Sequence, residues 1–230
     1  MKPVHFFILL FVLFGFLSPG QNPAITIQKF ESAAPYTHLD VNNNASDFQF
    51  AIVTDRTGGH RPGVFMDGVH KLNLLQPEFV MSVGDLIEGY TEDMSTLKSE
   101  WTEFDAFVDS LEMPFFYVPG NHDITNEVME KLWLEKFGAT YYHFVYQEVL
   151  FLCLNSEDQK RGAGRGTISD KQYEYIQSTL QENSDVKYTL VFLHQPLWVQ
   201  EKTERWPDVE KLLSNRKHNV FAGHYHHYVA

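Results

Sequence analysis

The sequence predicts an α/β fold. Short apolar runs of strand length alternate along the chain with segments of helical periodicity. That alternation reads as parallel strands covered by helices. Nearly every apolar run also ends in Asp, Asn or His, which gathers polar side chains at the carboxyl ends of the strands, where open α/β sheets bind ligands.

The elements follow in order. Lys2, the 12-residue apolar run 6–17 and the small residues Ser18-Pro19-Gly20 read as an export signal over residues 1–20, which makes the chain periplasmic or secreted. A bilayer span takes roughly 20 residues, so no membrane span is expected once the signal is removed. An uncleaved N-terminal tether is the other reading. Residues 21–47, with Pro23, Pro35 and Asn42-Asn43-Asn44, read as a linker with room for one short strand, and 48–230 as one domain. Apolar runs at 48–53, 79–83, 115–118, 149–154, 188–193 and 220–222 read as strands. Met94, Leu97, Trp101, Phe104, Val108 and Leu111 recur at helical spacing within 91–112. Tyr173, Ile176 and Leu180 do the same after a capping box at Ser169 and Gln172. A further helix is expected over 125–137.

Composition narrows the function. Of the 230 residues, 43% are hydrophobic and 15% aromatic, enough for a sizeable core. A formal charge of −12 argues against a nucleic-acid-binding surface, which needs a basic face. It leaves room for a phosphorylated small-molecule substrate if metal ions supply the local positive charge. The single cysteine, Cys153, lies in an apolar run and reads as a buried core thiol.

The strand ends collect Asp55, Asp85, Asn121, His122, His194, His224 and His226. Singly, each has a plain reading: a helix cap for Asp55, a turn residue for Asp85, a satisfied core histidine for His194. Together they make a mixed oxygen and nitrogen ligand set that suits Mn, Fe or Zn rather than Ca. His224 and His226 would share a face in a regular strand, but at a strand end they can diverge toward two neighbouring ions. Simple metal sequestration by the 11 histidines fits less well, because these histidines sit at strand ends rather than in a tract.

The ordered motifs Asp55, Gly84-Asp85, Gly120-Asn121-His122-Asp123, His194 and Gly223-His224-Tyr225-His226 resemble the calcineurin-like metallophosphoesterase family, from about residue 48 to the C-terminus. The resemblance implies two packed mixed β-sheets flanked by helices and a centre of two divalent or transition-metal ions. It implies Asp85 as the bridge, Asp55 and His226 on the first ion, and Asn121, His194 and His224 on the second. It implies hydrolysis of a phosphomonoester or phosphodiester by a hydroxide held on the ions. His122 would protonate the leaving oxygen or steady the phosphate charge. Asp123 would orient His122, or else cap the helix over 125–137. Further strands normally follow the last motif, so the chain reads as C-terminally truncated or as a naturally short form.

One departure stands out. The family usually has Asp-x-His at the first motif, and this chain has Asp55-Arg56-Thr57. Thr57 is a poor ligand. His60 could replace the missing group, the first ion could bind weakly with extra water, or the site could hold one metal. A weakened first site is the expectation, with a catalytically degenerate metal- or phospholigand-binding relative as the alternative. Arg56 is a candidate phosphate contact or a solvated surface residue. Glu88 occupies the position where purple acid phosphatases need Tyr, and Tyr90 reads as packing. The glycine- and arginine-rich loop 161–166 reads as a hydrated loop or a lid, and Trp198, Trp206 and the aromatics of 141–146 as core or pocket wall.

Overall fold

The computed structural model describes residues 25–41, 47–159, 162–200 and 205–226. The export segment lies outside them, as do Arg161 and residues 227–230. Among the described residues no helix is long and apolar enough to cross a membrane.

Among the described residues, eight strands form two sheets. The smaller holds β2 (Ala51–Val53), β3 (Val80–Ser82) and β4 (Phe115–Phe116), all parallel. The larger runs in the order β1 (Thr26–Ile27), β5 (Tyr142–Tyr146), β6 (Val149–Cys153), β7 (Tyr188–Phe192) and β8 (His218–Phe221). Its β1–β5 and β5–β6 pairs are antiparallel, and β6–β7 and β7–β8 are parallel. Helices α1 (Val64–Leu75), α2 (Met94–Val108) and α3 (Glu127–Phe137) belong to the first half of the chain, and α4 (Asp170–Glu182) and α5 (Trp206–Leu213) to the second.

Side chains alternate between the faces of a strand, and both faces are apolar here, which explains the unbroken hydrophobic runs. Phe79, Met81, Phe116, Phe144, Phe151 and Phe192 meet in the cluster between the sheets. Val80 and Phe115 face the other way, onto Leu97, Trp101 and Phe104 of α2 and Trp133 of α3. Leu150, Leu152 and Val191 pack on Ile176 of α4 and on Trp206 and Val209 of α5. The result is a four-layer sandwich, helices outside and two sheets inside. Cys153 is buried in the inter-sheet cluster.

The structure fills in several elements that the sequence left open. The stretch ahead of Phe48 supplies β1, and it also packs Phe30, Tyr36 and Leu39 on the inter-sheet cluster. The aromatics of 141–146 are strand β5, with Tyr142, Phe144 and Tyr146 buried. Trp206 is core, while Trp198 is 45% exposed. The three strands of the smaller sheet are parallel, and an antiparallel bridge between Tyr36 and Phe116 adds to its β4 edge. Ser169 caps α4 as its spacing predicts, but Gln172 turns inward and ties the helix to Asn155 at the end of β6.

Candidate metal centre

The strand ends of both sheets meet along one edge. Asp55 follows β2, Asp85 follows β3, Asn121 and His122 follow β4, His194 follows β7, and His224 and His226 follow β8. Four of these, Asp55, Asp85, His224 and His226, have left-handed backbone, with φ of 50°, 58°, 79° and 52°. Such conformations in non-glycine residues cost on the order of 1–3 kcal/mol each and persist only where the surroundings hold them. A cross-sheet bond does part of that holding: the His224 N–H donates to Asp55 Oδ1 at 2.8 Å. Close approach sets the glycines between the motifs. A Cβ on Gly84 would stand 2.7 Å from Gly120 Cα, and one on Gly120 would collide with Asp85 Oδ1.

The side chains converge in two groups. Asp85, His194 and His224 form one, and Asp55, Asp85 and His226 the other, with ligand atoms in each within 4.8 Å of one another. Asp85 belongs to both. His194 Nε2 lies 3.1 Å from Asp85 Oδ2 and 3.2 Å from His224 Nδ1. His226 Nε2 lies 3.4 Å from Asp55 Oδ1. The other nitrogen of His194 donates its N–H to the Val83 carbonyl at 2.7 Å, which turns Nε2 toward Asp85 and His224. Burial opposes charge on both Asp85 and His194, and their mutual contact overrides it. The carboxyl of Asp85 is held below its ordinary value, and the imidazole of His194 is pushed up to about 9.

Asn121 supplies a test of fit. Its Nδ2 donates to the Tyr90 hydroxyl at 2.9 Å, while its Oδ1 is buried and accepts no hydrogen bond. A buried, unpartnered amide oxygen on the same strand-end edge as two carboxylates and three imidazoles suits a transition-metal cation. His122 points its ring the same way. Its Nδ1 is 2.6 Å from the Glu88 carbonyl, so that nitrogen carries hydrogen and Nε2 is left for chemistry. A Cβ on Gly58 would sit 3.0 Å from His226 Cε1 and 3.5 Å from His122 Nε2, so the glycine keeps the space beside both rings open.

The profile of the calcineurin-like phosphoesterase family matches residues 47–228. The chain belongs to that family. Among curated proteins, this calcineurin-like phosphoesterase is 25% identical over 125 residues to a probable glycerophosphodiester phosphodiesterase of Arcobacter nitrofigilis, covering 53% of this chain and 42% of that protein. It is 27% identical over 120 residues to a 3',5'-cyclic adenosine monophosphate phosphodiesterase of Haemophilus influenzae, covering 52% and 40%. The chain thus spans about two fifths of the length of these relatives. A dimetal phosphatase from Danio rerio shares the fold, with a TM-score of 0.63 at 14% identity over 78% of this chain and 82% of that one.

Against the family pattern, four residues take unexpected places. Thr57 is buried, and its hydroxyl donates to the Asp85 carbonyl at 3.1 Å, so it braces the Asp85 backbone. His60 is in neither ligand group; its Nδ1 lies 3.4 Å from Glu88 Oε1, and it lines the same cavity as Asp55 and His226. Arg56 is not a solvated surface residue: its side chain is buried, and its Nε has no hydrogen-bond partner. Its guanidinium donates to the Leu86 carbonyl at 3.0 Å and to Glu103, and stacks 5.0 Å from the Phe107 ring. Asp123 neither caps a helix nor touches His122. The cap of α3 is Asn126, and Asp123 accepts four backbone N–H bonds, from Asp85, Leu86, Ile87 and Gly120. Burial and the Asp85 charge push its carboxyl up to about 7, against the pull of those donors. Asp123 therefore knots together the two loops that carry Asp85 and Asn121. Tyr90, read from sequence as packing, holds Asn121 and lies edge-on to His122 with 4.7 Å between ring centroids. No sequence motif marks it.

Proposed function

We propose that the chain hydrolyses a phosphomonoester or phosphodiester of a small molecule with two divalent transition-metal ions, Mn, Fe or Zn. Asp55, Asp85 and His226 would hold the first ion, and Asp85, Asn121, His194 and His224 the second. The observation that carries this reading is the pair of ligand groups sharing Asp85, with the unpartnered Asn121 oxygen beside them. The relatives named as phosphodiesterases support the ester chemistry.

Bound there, the ions would supply the Lewis acidity that activates water and offsets phosphoryl charge. The chain's own groups supply position and a proton. His122, fixed through its Nδ1–H on the Glu88 carbonyl, presents Nε2, which in the imidazolium form would give its proton to the leaving oxygen or bond a phosphoryl oxygen. Gly58 leaves the room in which that atom sits. With Thr57 turned to the Asp85 carbonyl, the chain would offer the first ion fewer ligands, and that ion would be the more weakly held. A second reading, a relative that binds metal or a phosphorylated ligand without turnover, rests on the same Thr57. Export belongs to the proposal too, on the strength of Lys2 and the apolar run 6–17; the mass of the mature N-terminus in an expressing cell checks it.

The test is hydrolysis of para-nitrophenyl phosphate and bis(para-nitrophenyl) phosphate by metal-stripped protein, before and after reloading with Mn. Turnover should require Mn, vanish in Asp85→Asn, and fall by roughly 10²–10⁴ in His122→Ala. Phospholigand binding without turnover in a folded, Mn-loaded sample would favour the second reading.

A further inference from the structure

A cavity of about 900 Å³ opens on the Asp55 and His226 side of the centre, and those two residues form part of its wall. Another part of the wall is the first turn of α1, from Gly63 to Met66. Gly63 is the N-cap and brings no side chain to close the helix. The Val64 N–H turns back to the Arg61 carbonyl at 3.2 Å, and the Asp67 N–H reaches the Gly63 carbonyl at 2.9 Å. Between them, the N–H groups of Phe65 and Met66 meet no acceptor among the described residues. Bare N–H groups and the positive end of the helix dipole make such a terminus a place for an anion. The acidic side chain of that first turn does not fill the place: Asp67 is bonded to Lys71 and is not part of the wall.

Two arginines on the same wall point to the same ligand. The Arg56 side chain is only 5% exposed. It donates through Nη1 to the Leu86 carbonyl and through Nη2 to Glu103, while its buried Nε–H has no acceptor. A buried donor left without an acceptor is uncommon, and a ligand oxygen would supply one. Arg61, on the turn before α1, is exposed and forms no ion pair among the described residues. Of the acidic groups on the wall, Glu103 is paired with Arg56, and Asp55 faces His226 and the proposed first ion. Apart from the ion and its ligands, the wall therefore carries the charge of Arg61 and of the helix terminus with no anion to meet them. Sites for drug-sized ligands run to roughly 300–1,000 Å³, so there is room here for more than the phosphoryl group at the centre.

We infer that the substrate carries a second anionic group, a phosphate or a carboxylate, which docks at the N-terminus of α1 beside Arg61 and the Arg56 Nε–H while the scissile phosphoryl group lies at the metal centre. The α1 terminus thereby selects phosphoesters with a charged arm over those with a neutral one. The inference rests on the phosphoesterase reading, and binding of uncleavable ligands tests it apart from turnover.

The experiment is calorimetric titration of the full Mn-loaded chain with phosphonates, whose C–P bond a phosphoesterase leaves intact. Phosphonoalkanoic acids with chains of graded length are compared with their carboxamides and with the matching bisphosphonates. At the best length, a charged arm should bind at least about fivefold more tightly than the amide. The larger gain, carboxylate or second phosphonate, names the anion. Arg61→Gln should remove most of that gain, and Arg61→Lys should keep most of it. Val64→Asp, which sets a carboxylate at the first helical position, should remove it as well. Arg61 is exposed and Val64 is 50% exposed, so the variants should melt with the parent. Equal affinity for charged and amide arms at every length, or a gain that survives both Arg61→Gln and Val64→Asp, would overturn the inference. Failure to bind any phosphonate would count against the phosphoesterase reading itself, whereas intact phosphonate binding without the gain counts against this inference alone.

Discussion

The two ends of the Asn121 amide meet different fates: Nδ2 is held by the Tyr90 hydroxyl, and Oδ1 is left bare in the interior. That bond settles which way the amide faces. Tyr90→Phe keeps the ring against His122 but frees the amide to flip. It should weaken binding of the second Mn roughly tenfold, as loss of a ligand's supporting bond commonly does, with no change in melting temperature; unchanged Mn affinity would show that Tyr90 does not hold the ligand. The seven polar strand ends were legible in the sequence because each follows its own short apolar run. The roles of Arg56, Asp123 and Tyr90 were not. Arg56 reaches Leu86 and Glu103, Asp123 reaches Asp85 to Ile87, and Tyr90 reaches Asn121, all on other segments of the chain. Local pattern does not encode such partners. Asp123 next to His122 suggested a pair, yet the fold turns its carboxylate to the backbone of the neighbouring loop.

Among the elements, the strands buried on both faces read clearly, because Phe79, Val80 and Met81 must all leave water at once. Strand β5 was less clear, since His143 interrupts its aromatics, and α1 was obscured by Gly68 and by exposed Leu74 and Leu75. The loop after β6 is held by more than its glycines suggest. Gly162 N–H donates to Glu157 at 3.1 Å, and Gly164 and Gly166 N–H donate to Gln195, which itself bonds Glu157 and directly follows His194. Burial pushes the Glu157 carboxyl up from 4.5 to about 7. A carboxyl whose folded value is raised contributes its full stability below about pH 4.5, where folded and unfolded states both carry the proton, and loses it as pH rises through about 7. Glu157→Gln cannot ionise. Melting temperatures of both proteins from pH 5 to pH 8 should therefore converge or cross in favour of the variant as pH rises. A gap constant with pH would show that Glu157 does not titrate there. Any constant offset reports the bond to Gly162 that Gln cannot make in the same way.

For the whole molecule, the decisive feature is that both ligand groups join the two sheets. Asp55, Asp85 and Asn121 come from the smaller sheet, and His194, His224 and His226 from the larger. Across that seam direct bonds, His224 N–H to Asp55 and His194 Nδ1–H to the Val83 carbonyl, already link the strand ends. Cations placed there would tie the sheets together, and a ligand bound only by the folded state at a hundred times its Kd adds about 2.7 kcal/mol. Mn should raise the melting temperature of the full chain by several degrees, and Asp85→Asn should abolish most of that rise; an equal rise in the variant would place the ions elsewhere. The stacking of two sheets was legible only through the family resemblance, because hydrophobic periodicity shows that a strand is buried and not what buries it. The most direct test of a two-ion phosphoesterase with a weakened first site is to count bound Mn per chain while following hydrolysis of an aryl phosphodiester. Turnover should appear only as a second, more weakly held Mn is taken up, and Asp85→Asn should show neither the second ion nor turnover. A folded chain that takes up two Mn and hydrolyses no phosphoester would contradict the account.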